Sequence, residues 1–213
     1  MTIAKVTLDI SVSLDGYVAG PNRTVEQPLG DGGLGLHEWS FALASWRQPH
    51  GLSGGETGPD DEIVREQLEA TGAVVMGRRM FSGGAGAWED DPVANGWWGD
   101  EPPFHTPVFV LTHHPREPLV LGDVTFTFVT DGVEAAIDRA REVAGARNVA
   151  VAGGACVARQ ALWTGLLDEL QIHLVPVLLG DGVRLFGDLR AQLELDRLVA
   201  SPRVAHLRYR VAR

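Results

Sequence analysis

The chain has 213 residues, a formal net charge of −10, 45% hydrophobic and 22% charged residues, and a single cysteine. This length fits one domain, at residues 1–213, with a core that needs no disulfides. The lone Cys156 excludes an internal disulfide or a thiolate metal cluster, and the acidic charge argues against nucleic acid or an anionic membrane as a partner. Because neither a signal-peptide core nor a membrane-length apolar run is present, we expect a cytoplasmic protein.

Apolar and β-branched runs bounded by turn residues predict a series of strands. In chain order they lie at residues 3–12, 73–76, 107–112, 124–129, 149–152, 168–179, 193–199 and 204–211. The run 168–179 is followed by the glycine-containing break at 180–182. The last two strands are typical of a hairpin joined through Ser201 and Pro202.

Helical patterns alternate with these strands. They lie at residues 37–46, 60–72, 78–82, 133–144 and 155–164, the first of them short. The helix at 60–72 opens with Asp60, Asp61 and Glu62, whose carboxylates suit the positive end of a helix, and Gly72 closes it.

Three segments are rich in turn residues and, apart from the short helical pattern at 37–46, show neither strand nor helix periodicity. Residues 13–22 form a glycine-containing loop after the first strand, and residues 23–58 and 83–106 are long insertions. The second insertion holds Trp88, Trp97 and Trp98. These indoles either line a ligand pocket or pin the loop to the core, and the sequence leaves both open.

Strands that alternate with helices up to residue 179 indicate parallel βαβ units. Beyond residue 179 the sequence predicts strands without helices between them, which indicates an antiparallel edge of the sheet. The sequence therefore predicts an α/β fold with a mostly parallel central sheet, antiparallel C-terminal edge strands and flanking helices.

Two strand-to-helix turns carry the main functional signal. One strand ends at Gly77 before Arg78 and Arg79, and another ends at Gly153 and Gly154. In an open α/β sheet, ligands bind beyond the carboxyl ends of the strands. Glycine there lets a phosphate approach the backbone, and the next helix offers free N–H groups. Two arginines placed against the helix dipole favour an anionic partner. The two turns together predict a cradle for a nucleotide cofactor.

Other motifs lack the context that their chemistry needs. Residues 30–35 match G-x-G-x-x-G without a preceding strand, and residues 51–55 match the G-x-S-x-G elbow around Ser53 without a strand to feed it. His113 and His114 are adjacent on an extended segment and so point to opposite sides. We therefore expect no metal site.

The residues at these turns are similar to those of the dihydrofolate reductase superfamily. Within it, the chain resembles most the reductase domain of the bifunctional riboflavin-biosynthesis deaminase/reductase. The matching segments are residues 13–20, 75–81, 151–155 and 174–186. The resemblance implies a three-layer fold and a homodimer.

The resemblance also implies NADPH along the carboxyl edge of the sheet. Residues on the first helix start and the next strand end would hold the phosphates: Gly77, Arg78, Arg79, Met80, Thr112 and His113. Residues on the second helix start would hold the pyrophosphate and nicotinamide: Gly153, Gly154, Ala155, Cys156 and Val157. Ala19 and Gly20 would belong to a loop that closes over the nicotinamide.

Hydride addition to a pterin-like C=N also requires a proton donor. The resemblance favours Asp61, at the start of the helix that feeds the first glycine turn, although the same carboxylate could simply cap that helix. Glu38 is a second candidate for the catalytic acid, and Asp15 is the candidate in the substrate-side loop.

The chain also departs from these relatives. Residues 23–58 replace a shorter connection, and no H-x-E with P-C-x-x-C deaminase pattern is present. The leading hypothesis is therefore an NADPH-dependent reductase of a pterin-, flavin- or aminopyrimidine-like substrate in riboflavin- or folate-type metabolism. The alternatives are a nucleotide or small-molecule binding protein of the same fold without reductase activity, and a serine hydrolase that uses Ser53.

Overall fold

A computed structural model describes residues 4–84 and 86–212. Ile3, the first residue of the strand predicted at 3–12, and Ala85 of the second insertion lie outside the described residues. Within the two described ranges, no helix has both the length and the apolar character needed to cross a membrane.

A nine-stranded sheet forms the centre of the described chain. Its strands, with the two of a small second sheet, are β1 (Val6–Ser13), β2 (Tyr17–Ala19), β3 (Thr71–Gly77), β4 (Val108–Leu111), β5 (Leu119–Leu121), β6 (Val124–Val129), β7 (Asn148–Gly153), β8 (Glu169–Val175), β9 (Val183–Arg184), β10 (Leu193–Ala200) and β11 (Ala205–Val211). The order across the large sheet is β10-β11-β8-β1-β7-β3-β4-β6-β5, and β2 pairs with β9. The pairs from β8 to β6 are parallel, whereas β11, β10 and β5 run antiparallel to their neighbours.

Six helices connect the described strands: α1 (Glu38–Phe41), α2 (Ala44–Arg47), α3 (Pro59–Ala70), α4 (Arg78–Ser82), α5 (Gly132–Ala144) and α6 (Ala155–Trp163). The predicted mostly parallel sheet with an antiparallel C-terminal edge and flanking helices is confirmed. The short helix predicted at 37–46 is divided into two turns, because Leu43 adopts an extended conformation at the start of α2.

The strand predicted at 168–179 is wrong in its second half. β8 ends at Val175 because Pro176 has no N–H with which to continue a ladder. The N–H groups of Leu179 and Gly180 instead donate to the carboxylate of Asp15. The loop prediction at 13–22 missed β2, and the short strands β5 and β9 were also missed, since two or three residues give no measurable periodicity.

One face of the sheet is covered by α5 and α6. Apolar strand residues such as Leu8, Val75 and Val151 pack there against small side chains including Ala140 and Ala158. Alanine on the helix faces allows the helix backbones to approach the sheet closely, which fixes the start of α6 at the strand ends.

The opposite face is covered in two separate blocks. Over β3, β4 and β6, the insertion at 83–106 packs its aromatic rings on Met76 and Phe126. Over the end of β8, the insertion at 23–58 packs Leu36, Trp39 and Leu43 against Val175 and Val204. The indoles of the second insertion therefore contribute to the core, with Trp88 and Trp98 partly buried against it. Both insertions are integral parts of the fold.

Gly20 allows the backbone of the first insertion to approach β2. A Cβ on this residue would lie 1.9 Å from the carbonyl oxygen of Asp31, and the N–H of Gly20 donates to Leu29 O at 2.8 Å. Nearby, Gly35 has open space around the position of a Cβ.

We expect Gly20→Ala to destabilise the protein by about 1–3 kcal/mol, because a backbone segment must move to admit the methyl group. Chemical denaturation of Gly20→Ala and of the control Gly35→Ala measures the difference. Equal stabilities of the two variants would contradict this packing.

Candidate functional site

The two glycine turns predicted to form a cradle lie side by side. Strands β3 and β7 are parallel neighbours, and Met76 pairs with Gly153 at their carboxyl ends. A Cβ on Gly77 would lie 3.0 Å from Cγ2 of Val157 and 3.9 Å from the backbone nitrogen of Gly154. The Val157 side chain therefore crowds the position of a Cβ at residue 77, while the backbone of Gly154 lies at ordinary contact distance. The starts of α4 and α6 therefore meet at one edge of the sheet.

The start of α6 is open toward this edge. No side chain caps the helix, so its first N–H groups are available to an outside acceptor. Gly154 is exposed, and a Cβ placed on it would meet nothing within 4 Å. Gly153 has φ +124°, and the Gly153–Gly154 peptide is cis. Exposed N–H groups at the positive end of a nine-residue helix suit a phosphate.

Ala155 and Val157 are buried within the first turn of α6, and Val157 forms the contact with Gly77. Cys156 is exposed, and its sulfur accepts from the amide of Gln160 at 3.2 Å. The second turn therefore contributes backbone N–H groups to the edge, while its cysteine side chain lines a groove together with Trp163.

The adjacent arginines have different environments. Arg78 is buried; it forms an ion pair with Asp91, donates to Ser82, and stacks its guanidinium 3.4 Å from the ring centre of Trp88. The side-chain Nε and Nη2 of Arg78 have no hydrogen-bond partner among the described residues. Burial lowers the pKa of Arg78, and the hydrogen bond and charge of Asp91 oppose that shift. Its charge is therefore committed to holding the second insertion.

Arg79 is exposed and lines a groove of about 420 Å³ together with Arg23 and Thr24 of the first insertion. Burial, followed by the positive charge of Arg79, lowers the pKa of Arg23. Two neighbouring guanidinium groups repel each other unless an anion lies between them. Sequence reasoning missed Arg23, because it lies in a part of the first insertion without helical or strand periodicity.

Met80 and the residues after β4 lie around the same edge. Trp97 donates its indole N–H to the Met80 carbonyl at 2.7 Å, and a Cβ on Gly153 would lie 3.9 Å from the Met80 sulfur. Thr112 is buried, and its hydroxyl accepts the N–H of His114 at 3.1 Å. His113 is exposed. Of this pair, the histidine is the side chain free to meet a ligand.

Ala19 and Gly20 form a fixed wall. Ala19 is 5% exposed, and a Cβ on Gly182 would lie 2.1 Å from the Ala19 carbonyl oxygen. Backbone packing on both sides holds this segment in place, so it resembles a strand end more than a loop that closes over a ligand.

Asp15 fastens its loop to the segment after β8. Its carboxylate accepts the hydroxyl of Ser13 at 2.6 Å and the N–H of Gly180 at 2.7 Å. The Ser13 hydrogen bond, with those from the backbone, lowers the pKa of Asp15 to about 2. In the structure, the Asp15 carboxylate therefore joins two segments of the chain.

The proposed acids Asp61 and Glu38 lie in different surroundings. Asp61 is buried, and its carboxylate accepts the N–H of Ser45 at 2.7 Å in the first turn of α2. Glu38 is exposed at the start of α1. The Asp61 carboxylate therefore ties the first insertion to α3.

A buried polar cluster crosses the sheet beneath the first insertion. It joins Asp9 of β1, His173 of β8, His206 of β11 and Asp60 of α3. The signal in the sequence was weak, because Asp9 and His173 each stand alone within an apolar strand and 33 residues separate the two histidines. Only the strand order brings them together.

The fold defines a class of α/β protein in which two glycine turns meet at the carboxyl ends of neighbouring parallel strands. The RibD C-terminal domain family matches residues 4–207. The chain belongs to that family.

Known relatives are distant. The protein YyaP of Bacillus subtilis (strain 168), itself uncharacterized, is 20% identical over 196 residues, which cover 90% of this chain and 85% of YyaP. Among solved structures, a Shewanella sp. PV-4 protein provisionally assigned to riboflavin biosynthesis has a TM-score of 0.58 and 22% identity, over 98% of this chain and 99% of that one.

A second solved structure is larger than this chain. It is a Thermotoga maritima diaminohydroxyphosphoribosylaminopyrimidine deaminase/5-amino-6-(5-phosphoribosylamino)uracil reductase, with a TM-score of 0.55 and 15% identity. The match covers 98% of this chain and 57% of the Thermotoga chain. At these identities the likeness establishes the fold, and the fold matches that of the strands and helices described above.

We expect Arg78→Ala to destabilise the protein by about 3–5 kcal/mol, because it leaves the 2%-exposed carboxylate of Asp91 buried without its cation. Denaturation of Arg78→Ala, Asp91→Asn and the double variant checks this through a double-mutant cycle. Additive losses would show that the two side chains do not interact.

We expect the stabilising contribution of Asp15 to depend on pH below about pH 4. Its folded-state pKa, about 2, lies below the ordinary value of 3.8, so its contribution is present above 3.8 and is lost as the pH falls toward 2. Asp15→Asn should therefore be less stable than the parent at pH 7, with a difference that shrinks in acid. A difference that stays constant between pH 7 and pH 2.5 would contradict this assignment.

Proposed function

We propose that this protein is an NADPH-dependent reductase that transfers a hydride to a pterin-, flavin- or aminopyrimidine-like heterocycle. Membership of the RibD C-terminal domain family supports a reductase of riboflavin biosynthesis as the broad class. The cofactor and the substrate are the specific parts of the proposal.

The observation that carries this proposal is the contact between the two glycine turns. Met76 pairs with Gly153, and α6 starts uncapped beside that pair with an exposed glycine in front of it. One dinucleotide can therefore lie along both turns, with its pyrophosphate at the N–H groups of Gly154, Ala155 and Cys156.

The charged groups near the edge fit a cofactor that carries an additional phosphate. Arg79 and Arg23 line one groove, and the exposed His113 follows the neighbouring strand β4. Arg79, supported by Arg23, is the side chain that we expect to bind the 2′-phosphate, because guanidinium forms two parallel hydrogen bonds to phosphate oxygens. Arg78 is a weaker candidate for a phosphate contact than Arg79, since its side chain is buried and its Nη1 is bound to Asp91 and Ser82.

When bound, the nicotinamide dinucleotide supplies a hydride. The residues of this chain orient the two reactants and exclude water from the space between them. Backbone packing holds the walls at Gly20 and Gly182 in place. Ring contacts hold the aromatic insertion at 83–106 against the sheet. Both can therefore keep two reactants in a fixed orientation.

The substrate class rests on the names of the structural relatives. The Thermotoga maritima protein is named as an aminouracil reductase, and a Corynebacterium diphtheriae protein with a TM-score of 0.50 and 18% identity, over 100% of this chain and 93% of that one, is named as pyrimidine reductase-like. Both names point to a nitrogen heterocycle.

Homodimer formation also remains a proposal. The apolar strand β8 lies between β1 and β11, with Leu170 fully buried. Its composition is therefore explained by its central place in the sheet. The 79%-exposed Trp163 on α6 is a better candidate for an apolar contact between protomers.

We expect NADPH at 100 times its Kd to stabilise the protein by about 2.7 kcal/mol. Thermal unfolding measures binding, and absorbance at the reduced-nicotinamide band measures oxidation with 7,8-dihydrofolate, FMN or 5-amino-6-(5-phosphoribosylamino)uracil as acceptor. Stabilisation without oxidation by any of the three would favour a binding protein without reductase activity. Absence of stabilisation would refute the cofactor assignment.

We expect Arg79→Ala to raise the Kd for NADPH about tenfold and the Kd for NADH much less, because a charge-assisted contact to the 2′-phosphate is lost. Arg65→Ala, which removes an exposed arginine from α3, is the matched control. Equal losses for the two dinucleotides would mean that another group reads the 2′-phosphate.

A further inference from the structure

Four titratable side chains form a continuous hydrogen-bonded array beside the proposed site. His173 Nε2 lies 2.9 Å from Asp9 Oδ1, the two Nδ1 atoms of His173 and His206 are 2.6 Å apart, and His206 Nε2 lies 3.1 Å from Asp60 Oδ1. Trp39 covers both rings, with centroid distances of 4.7 and 5.1 Å, and donates its indole N–H to Ser11 at 3.1 Å.

The array requires three protons. Each of its three contacts joins two atoms that can act as hydrogen-bond acceptors. Each contact is therefore a hydrogen bond only if one proton lies between its two atoms. Two ionised carboxylates and two neutral imidazoles supply only two protons. At these distances the array therefore holds three protons, one more than two ionised carboxylates and two neutral imidazoles supply.

A metal ion cannot take the place of the central proton. Two imidazole nitrogens bound to one zinc each lie about 2.0–2.1 Å from it and therefore stand more than 3 Å apart in a tetrahedral site. The 2.6 Å separation is too short for this. Within residues 4–84 and 86–212, no group of three or more metal-binding side chains is arranged to hold an ion.

The array opens to solvent at one end. The side chain of Asp9 is 27% exposed, against 4% for His173, 0% for His206 and 9% for Asp60. Leu8 pairs with Val151, so Asp9 lies next along the strands, beside Ala152, which precedes Gly153. The open carboxylate therefore lies on the strand next to β7, which ends at the second glycine turn.

We propose that Asp9 is the proton donor of this protein and that His173, His206 and Asp60 are positioning residues that hold its proton in reserve. This inference rests on the proposed reductase and names the acid that it requires. Asp61 and Asp15, two of the sequence-based candidates for that acid, are bound to backbone N–H groups elsewhere, and Glu38 is exposed at the start of α1.

The proposed step moves one proton from His173 through Asp9 to the substrate nitrogen. Hydride addition to a heterocyclic C=N forms the C–H bond and leaves an electron pair on nitrogen. The proton on His173 Nε2 passes to the Asp9 carboxylate, and the Asp9 O–H bond breaks as the new N–H bond forms. His173 then keeps its Nδ1 proton, donated to His206, and water restores the lost proton.

Several charged groups face the array and set its proton affinity. Asp9 and Asp60 favour the protonated state, while Arg203, 3.9 Å from Asp60, opposes it. Burial, followed by the charge of His173, lowers the pKa of His37 in the first insertion. The same two causes lower the pKa of His206, and Asp60 opposes that shift.

Histidine NMR on the cofactor-free protein tests the proton count. With ¹⁵N-labelled imidazoles, we expect three N–H protons from His173 and His206 near neutral pH, and two after the array loses its extra proton as the pH rises. Asp9→Asn should lower the pH of that transition by about 1–3 units, because the opposite charge is removed. Glu169→Gln, on the same face of β8 and bound to Lys5, should leave it unchanged. Two protons at every pH, or an unchanged transition in Asp9→Asn, would overturn the array.

Turnover tests the delivery of the proton. With whichever of the three acceptors the parent protein reduces, Asp9→Asn should lower kcat about 100-fold or more while the Kd for NADPH stays the same, and Asp9→Glu should restore part of the loss. The fall of kcat with rising pH should disappear in Asp9→Asn. An unchanged kcat would refute the donor role. If the parent protein reduces none of the acceptors, the reductase and the delivery step are both refuted, whereas the NMR count still decides whether the extra proton is present.

Discussion

The parallel pairing of β3 with β7 is the constraint on which the candidate site depends. It places Met76 opposite Gly153, and this register brings the two following helices together at the same edge. A side chain at residue 77 would crowd Val157, because a Cβ there would lie 3.0 Å from Cγ2 of Val157. A shift of one residue between these strands would turn the inward face of each outward and would separate the two turns.

The two faces of the sheet have different tasks. The face under α5 and α6 is a continuous apolar core, and it fixes the height at which α6 begins. The other face is divided between an aromatic insertion and an insertion that seals a polar array. Asp9, whose side chain is 27% exposed, lies on β1, the strand next to the one that ends at the second glycine turn.

Much of the fold could be predicted from the sequence, because periodicity and turn residues are local signals. Helix α5 and strand β6 were predicted almost to the residue, and the family resemblance was confirmed. The difference between Arg78 and Arg79 could not be predicted, since the partner of Arg78 is Asp91, in an insertion without periodicity. The contact between His173 and His206 could not be predicted either, because it depends on an antiparallel pair formed by strands far apart in the sequence.

The indole of Trp97 links the second insertion to the candidate site through a hydrogen bond to the Met80 carbonyl, one turn from the glycine edge. Trp88, Trp98 and Phe104 of the same insertion cover the apolar surface of β3, β4 and β6. Trimming this segment to obtain a smaller scaffold would therefore bare half of one sheet face and release α4 at the same time. The insertion at 83–106 therefore supports both the fold and the candidate site at this edge, although its composition is typical of a dispensable surface loop.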